Sequence, residues 1–207
     1  MSEPSASCGR AIVASGNPGK VTEIREILMD LSIELVGLEA LPEVVFPAEG
    51  RDYASNAAAK ATAVASQLGE PAIADDSGLE VDALQGAPGP LSARYGSPEL
   101  DDRGRLRKLL DALAATPPER RQARFVCAAA LALPDEEAIV VWGECKGTIL
   151  SQPRGEQGFG YDPVFQPEGL NKSLAELSTG EKNELSHRGR AFRLLRGELQ
   201  RLLLDAE

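Results

Sequence analysis

The segment 10–38 reads as strand, glycine turn, helix, strand, and that order constrains the rest of the chain more than any other feature. Residues 10–15 (RAIVAS) form an apolar run of strand length, and Gly16-Asn17-Pro18-Gly19 must turn. Ile24, Ile27, Leu28 and Leu31 then recur at the spacing of one helical face, and residues 33–38 return to strand character. Two strands joined through a helix pair in parallel, and a parallel pair needs cover on both faces. The expected class is therefore α/β.

The remaining chain fits that class. Residues 41–51 read as a Pro- and Glu-containing loop. Asp52 can cap an Ala-rich helix running to residue 68. Residues 71–75 form a third short strand ending in Asp75-Asp76-Ser77-Gly78, and residues 86–90 (GAPGP) must be loop. Residues 101–115 carry Leu106, Leu109, Leu110 and Leu113 on one helical face. Residues 121–133 and 138–150 read as a long hairpin closed by Pro134-Asp135-Glu136-Glu137. A Gly-rich loop over 152–162 and a strand stub over 163–166 follow, then a helix over 180–204 carrying Phe192, Leu195, Leu199 and Leu202. Residues 1–9 are small and polar and are expected to form a frayed tail; residues 10–207 are expected to form a single domain.

Net charge is −10, from 22 Lys and Arg against 32 Asp and Glu. That balance argues against nucleic-acid or anionic-membrane partners, which need a basic surface. If the chain handles a polyphosphate, it must gather its cations locally or recruit a metal. Cys8, Cys127 and Cys145 form no C-x-x-C pair and read as small buried hydrophobes in a reducing compartment. The opening MSEPSASCGR has no apolar core of a signal peptide, so a cytoplasmic location is expected.

Each of four motifs permits a chemical and a structural reading. Ser15-Gly16-Asn17-Pro18-Gly19-Lys20 lies between strand and helix, where free amides and a lysine can face an anion; it also serves as a tight turn. It has neither the Walker A nor the dinucleotide spacing. Asp75-Asp76-Ser77-Gly78 offers carboxylates at a strand's end for magnesium or for activating water, or else a cap or Asx-turn. Gly158-Phe159-Gly160-Tyr161-Asp162-Pro163 sets two aromatics among glycines, suited to stacking on a flat base or to filling the core. Lys182 and Ser186-His187-Arg188 bring cations around the only histidine, which is either a ligand-binding or a structural residue.

Taken together and in this order, ASGNPGK, SNAAAKA, AIADDSGLEVDALQGAPG, SARY, GFGYDPVF and EKNELSHRGRA resemble the inosine triphosphate pyrophosphatases of the Ham1 type, the non-canonical purine (XTP/dITP) diphosphatases, from about residue 12 to 203. The resemblance implies an elongated mixed α/β fold, with a central sheet and a second lobe forming a nucleotide cleft, usually in a homodimer. It implies Mg2+-dependent hydrolysis of ITP, dITP and XTP to a monophosphate and pyrophosphate. By position, Ser15, Gly16, Asn17, Pro18, Gly19 and Lys20 would hold the triphosphate. Asp76 would be the metal-binding general base, supported by Asp75, and Ser77 would touch substrate. Phe159, Gly160, Tyr161, Asp162, Lys182, His187 and Arg188 would bind the nucleotide. Donors from His187 or Arg188 would pair with a 6-carbonyl and oppose the 6-amine of adenine; the sequence does not show what disfavours the 2-amino group of guanine.

One loop departs from the family pattern. In Ala48-Glu49-Gly50-Arg51-Asp52-Tyr53-Ala54-Ser55-Asn56-Ala57 the acid is displaced by one position, and Ser55 stands where Glu is common. Glu49 is the candidate second metal ligand of this displaced pattern, while Asn56, Ala57 and Lys60 match. The residues also allow two rival functions: a nucleotide sensor without turnover, and an NTPase releasing orthophosphate.

Overall fold

A computed structural model describes residues 9–205, with side chains described as far as Arg201. The tail expected over residues 1–9 lies outside it, except for Gly9, and so does Cys8. Five strands of one sheet run in the order of a folded ribbon: β1 (Gly9–Val13) sits between β2 (Ile33–Gly37) and β3 (Ala72–Val81), with parallel pairing to both. β3 then pairs antiparallel with β5 (Gln122–Ala132), and β5 with β6 (Ile139–Ile149). The last partners are short: β4 (Pro88–Gly89) pairs with β3, and β7 (Phe165–Pro167) with β6.

The helices cover this sheet unequally. α1 (Pro18–Ile27) and α5 (His187–Asp205) cover one face, and α2 (Tyr53–Leu68) the other. α1 starts as its sequence directs, with Pro18 in the first turn and the Asn17 carboxamide accepting from the Lys20 amide. Asp52 caps α2 by accepting from the Ser55 amide, and Gly69, at φ 69°, ends it in the left-handed conformation. Ala57, Ala61 and Ala65 of α2 meet Ala72, Ala74, Ala128 and Ala130 of the sheet, so the helix lies close to the strands. On the opposite face Val13, Ile73, Ala129 and Leu131 pack against Ile24, Leu28, Phe192 and Leu195.

β3, β5 and β6 are 10, 11 and 11 residues long and reach past β1 into a second lobe. There Leu79, Val81, Phe125 and Cys145 pack with Tyr161, Phe165 and Leu174 and with Leu106 and Leu109 of α3 (Asp102–Ala112). The mixed α/β class and the two-lobed sheet therefore match the expectation. Cys127 and Cys145 are buried and unpaired, and burial pushes the Cys127 thiol up to about 12. Among the described residues no helix is long and apolar enough to cross a membrane.

Three local expectations need correction. β3 does not stop at Asp75: pairing with β5 continues to Val81 opposite Ala123, so the two acids lie in mid-strand. Gly78 keeps the strand extended where a β-carbon would come 2.2 Å from the Gly89 carbonyl oxygen of β4. Residues 86–90 are accordingly not all loop. The C-terminal helix is broken at Ser186 (φ −68°, ψ 158°), which separates α4 (Thr179–Leu185) from α5. Ser186 Oγ accepts from the Gly189 amide, and Gly189 is so close to α4 that a β-carbon would meet the Asn183 carbonyl oxygen at 1.7 Å. The break puts His187 and Arg188 in the first turn of α5.

The α5 start rests on β6 through Gly143, where a β-carbon would sit 2.1 Å from the His187 carbonyl oxygen and 2.6 Å from the Ala191 nitrogen. Gly143→Ala is expected to lower stability by about 1–3 kcal/mol through overpacking, read as a fall in Tm. Gly197→Ala, in open space on α5, is expected to raise stability by roughly 0.5–1 kcal/mol. Equal effects at the two positions would contradict the close approach.

Candidate active site

β1 pairs with β3 only at Ile12–Ala72 and Val13–Ile73, then the chain turns into the Ser15–Lys20 loop. Between Ile73 and the β4 pairing at Leu79, β3 therefore has an open edge beyond the carboxyl end of β1, the place where α/β sheets take ligands. Asp75 and Asp76 occupy that edge. Because successive strand side chains point to opposite faces, these neighbours in sequence belong to different constellations.

Asp75 faces α1 and α5. Its Oδ2 lies 3.0 Å from Lys20 Nζ and 3.1 Å from Arg188 Nη2, and it accepts from Ser77 Oγ. Burial raises the proton affinity of this carboxyl, but Lys20 and Arg188 outweigh it and hold the group well below the usual carboxylate range. Asp75 is thus a fixed anion. Its Oδ1 is buried with no partner among the described residues.

Asp76 faces α2. Asn56 Nδ2 donates to its Oδ2 at 2.8 Å, and Lys60 Nζ lies 3.5 Å from its Oδ1. Burial raises its proton affinity, and here Lys60 and Asn56 do not cancel the effect. Lys60 also reaches Glu49 Oε1 at 3.4 Å, while Arg94 donates to Glu49 Oε2 at 2.8 Å. Asp76 and Glu49 therefore converge on one cationic group, despite the displaced acid in the loop. Burial raises Glu49 less than Lys60 and Arg94 lower it.

The nucleotide-binding candidates from the second half of the chain gather beside Asp75. Arg188 is 2% exposed and donates to both Asp75 and Glu23, the latter at 2.5 Å. Glu23, on the buried face of α1, also pairs with Lys182 at 2.6 Å. Lys182 donates in turn to Asp162 Oδ2, which accepts from the Phe159 amide at 2.9 Å. Burial raises Asp162, opposed by Lys182. The Phe159 ring carries Lys182 Nζ at 4.9 Å and the Arg188 guanidinium at 5.7 Å from its centroid. Its edge touches Gly19, where a β-carbon would come within 2.8 Å. The phosphate-loop candidate and the aromatic loop are thus in direct contact.

His187 is 4% exposed and stacks on Phe125, with centroids 4.7 Å apart and planes 11° apart. Burial, reinforced by Arg188 and Lys182, pushes its pKa well below the ordinary imidazole value, so it is neutral. Its Nδ1 has no partner among the described residues. Tyr161 is mostly core: its hydroxyl donates to the Ser92 carbonyl at 2.9 Å.

One cavity of about 220 Å³ joins these groups, lined by Asn17, Lys20, Ser77, Phe159, Gly160, Tyr161, Asp162, Lys182, His187 and Arg188. Ser15, Gly16, Pro18 and Gly19 belong to the loop at its edge rather than to its lining, and Asp76 and Glu49 lie across the strand from it. Residues that sequence reasoning left without a role also enter. Asn56 and Lys60 share one face of α2 at i, i+4 spacing, a signal available in the sequence. Glu23 is a lone carboxylate between Val21 and Ile24 on a buried stripe. Asp102 and Arg105 of α3 line the cavity, and no spacing pointed to them.

Comparisons with known proteins agree with this architecture. The Ham1 family profile matches residues 11–198. A protein named dITP/XTP pyrophosphatase from Streptomyces coelicolor is 50% identical over 197 residues, 94% of this chain and 98% of its own. One of the same name from Bacillus cereus is 45% identical over 192 residues, 91% and 94% of the two chains. Among solved structures, a HAM1 protein from Coxiella burnetii superposes with a TM-score of 0.81 at 38% identity, covering 93% of this chain and 99% of that one. A nucleoside-triphosphatase/dITP/XTP pyrophosphatase from Mycobacterium abscessus gives 0.72 at 44% identity, covering 90% and 98%. With the profile spanning both lobes and the whole cleft, this chain belongs to the Ham1 family.

Proposed function

We propose that the protein is a nucleoside triphosphate pyrophosphatase that hydrolyses non-canonical purine nucleoside triphosphates (dITP, XTP and ITP) to the monophosphate and pyrophosphate, with Mg2+ as cofactor. The observation that carries this reading is the division of Asp75 and Asp76 across one strand. Asp75 fixes the cations Lys20 and Arg188 beside a purine-sized cavity, while Asp76 stays a carboxylate of raised proton affinity on the adjoining edge. The names of its relatives support the substrate class.

Asp76 and Glu49 fit a magnesium ion: they are oxygen donors already converging on the Lys60 ammonium, and magnesium takes one or two protein carboxylates with the rest of its shell from water and phosphates. Bound there, the ion would neutralise phosphate charge as a Lewis acid. In this scheme Asp76 accepts the proton of the water that attacks the α-phosphorus, the α–β bridging bond breaks, and pyrophosphate leaves. Lys60 holds Asp76 in its basic form, and Asn56 orients it. Lys20 and the start of α1 receive the phosphates. Electrostatic stabilisation by groups already in place is the main catalytic contribution.

At the base end Phe159 stacks on the purine. Arg188 has its nitrogens engaged by Asp75 and Glu23, so it holds Asp75 and Phe159, while neutral His187 offers a ring N–H to the 6-carbonyl. Adenine would leave that donor facing an amine. A cytoplasmic homodimer, acting without nucleic-acid or membrane partners, completes the proposal by analogy with the family.

A nucleotide panel with product identification, with and without Mg2+, tests the function: pyrophosphate from ITP or XTP only with the metal is the expected result, and orthophosphate as first product sinks it. Asp76→Asn is expected to lower kcat by about 10²–10⁴ with little change in Tm; wild-type turnover would remove Asp76 from the mechanism. His187→Ala is expected to shrink the ITP-over-ATP ratio of kcat/KM by about 5- to 150-fold, the size of one unpaired buried donor at about 1–3 kcal/mol. Lys60 lowers the Asp76 pKa, so Lys60→Met raises it, and the acid limb of the kcat/KM profile must move to higher pH. A limb that stays in place or moves to lower pH would exclude Asp76 as the titrating base.

A further inference from the structure

Magnesium, phosphate grip and 6-carbonyl reading leave one chemical problem: guanine shares the 6-carbonyl, and only its 2-amino group separates it from hypoxanthine (2-H) and xanthine (2-carbonyl). The wall of the cavity formed by α3 bears on this. Asp101 caps α3 by accepting from the Gly104 amide, which places Asp102 and Arg105 a turn apart on the cavity side. Asp102 Oδ2 accepts from the Gly160 amide at 2.9 Å, tying α3 to the aromatic loop, and its Oδ1 pairs with Arg105 Nη1 at 3.0 Å. Each carboxylate oxygen of Asp102 therefore already accepts from one protein donor.

Arg105 is differently placed. Its side chain is 17% exposed, it lines the same cavity as Phe159, Lys182 and His187, and its Nε is buried with no partner among the described residues. It also stands near Tyr161: burial raises that phenol, and Arg105 is the leading influence in the opposite sense. A guanidinium is a fork of donors with no acceptor. It enters from α3, whereas His187 enters from α5, so a base stacked on Phe159 with its 6-edge toward α5 has another edge left to present to a second wall.

We propose that Arg105 is a specificity-determining residue that reads the 2-position of the purine, favouring a 2-carbonyl and opposing a 2-amino group. The inference rests on the proposed function, because it assumes a purine in this cavity. A 2-carbonyl accepts from the guanidinium, and the ionised xanthine ring adds charge attraction. A 2-hydrogen leaves Arg105 without a new partner. A 2-amino group sets donor against donor, and a site built from donors rejects the ligand that lacks the matching acceptor. The order xanthine, hypoxanthine, guanine follows.

Calorimetric binding of the nucleoside monophosphates XMP, IMP and GMP to the full-length protein tests this without requiring turnover. For wild type, XMP should bind tightest and GMP weakest. In Arg105→Ala the XMP-to-IMP affinity ratio should fall about tenfold and the GMP-to-IMP ratio should rise by a similar factor, the size of one lost pairing. Arg105→Gln supplies a carbonyl acceptor for the 2-amino group and should raise the GMP-to-IMP ratio at least as far. A purely structural role weakens all three monophosphates by one common factor; ratios within twofold of wild type in both variants overturn the inference. Release of pyrophosphate from ITP is measured separately on the same preparations. Its absence would defeat the proposed function, while the binding ratios still decide the role of Arg105.

Discussion

The contact between Arg188 and its two carboxylates, Asp75 and Glu23, is the constraint on which the cleft depends. Arg188 is at the start of α5, Glu23 on α1 and Asp75 on β3, so one guanidinium fixes three elements. Lys182 continues the chain of charges from Glu23 to Asp162 and thereby to the amide of Phe159. Lys20 closes it at Asp75. Three anions and three cations balance, which is why so many charges persist in a buried position. Such a network is poor evidence for stability, since well-packed apolar residues often serve as well, but deleting one partner costs about 3–5 kcal/mol. Its value lies in geometry: the planar fork of Arg188 sends separate nitrogens to Glu23 and Asp75 and so fixes their relative orientation, where Lys182 joins Glu23 and Asp162 through a single nitrogen.

Strand alternation then divides the labour. Because Asp75 and Asp76 project to opposite faces, each meets a different helix, and the environments push them apart. Asp75, among Lys20 and Arg188, is held ionised; Asp76, buried beside one lysine and one amide, binds its proton more readily than an ordinary aspartate. Pairs of carboxylates driven to different proton affinities by their surroundings are a general way for one site to hold both a fixed charge and a working base. The arrangement needs the helices close to the sheet. The alanines of α2 supply that on one face, and Gly143 supplies it under α5 on the other.

Much of the fold was legible in the residues themselves. Asn17 and Pro18, Asp52, and the Pro134–Glu137 turn mark boundaries through local chemistry, and the structure uses them nearly as written. What failed depended on contacts distant in sequence. Gly78 reads locally as a strand breaker, yet it is extended because β4 folds against it. The break at Ser186 is the exception, being local: its hydroxyl accepts from the Gly189 amide, and Gly189 passes the end of α4, so the apolar spacing of 180–204 hid a cap that the residues themselves carry. The same limit applied to the site. The acids, the aromatic loop and the Ser-His-Arg turn stood out by residue type, whereas Glu23 and Arg105 look like ordinary surface charges until α1 and α3 are placed against the cleft.

The two ends of the cleft are not independent. The ring of Phe159 lies against Gly19 of the Ser15–Lys20 loop on its edge and against Lys182 and Arg188 through its π-face, and those two cations share Glu23. Under the proposed function, a purine stacked on Phe159 would act on a ring whose supports also hold Asp75, and Asp75 fixes Lys20 at the other end. In a site wired this way, the fit of the proposed base would bear on where Lys20 stands. Remote binding energy can then be expressed in the reacting part of the substrate rather than only in affinity. A close-packed contact transmits small displacements because it has no slack to absorb them. Discrimination between bases that differ by a single exocyclic group can for that reason appear in turnover as well as in binding, which is the form of selectivity an enzyme acting on a minority of the purine triphosphates requires.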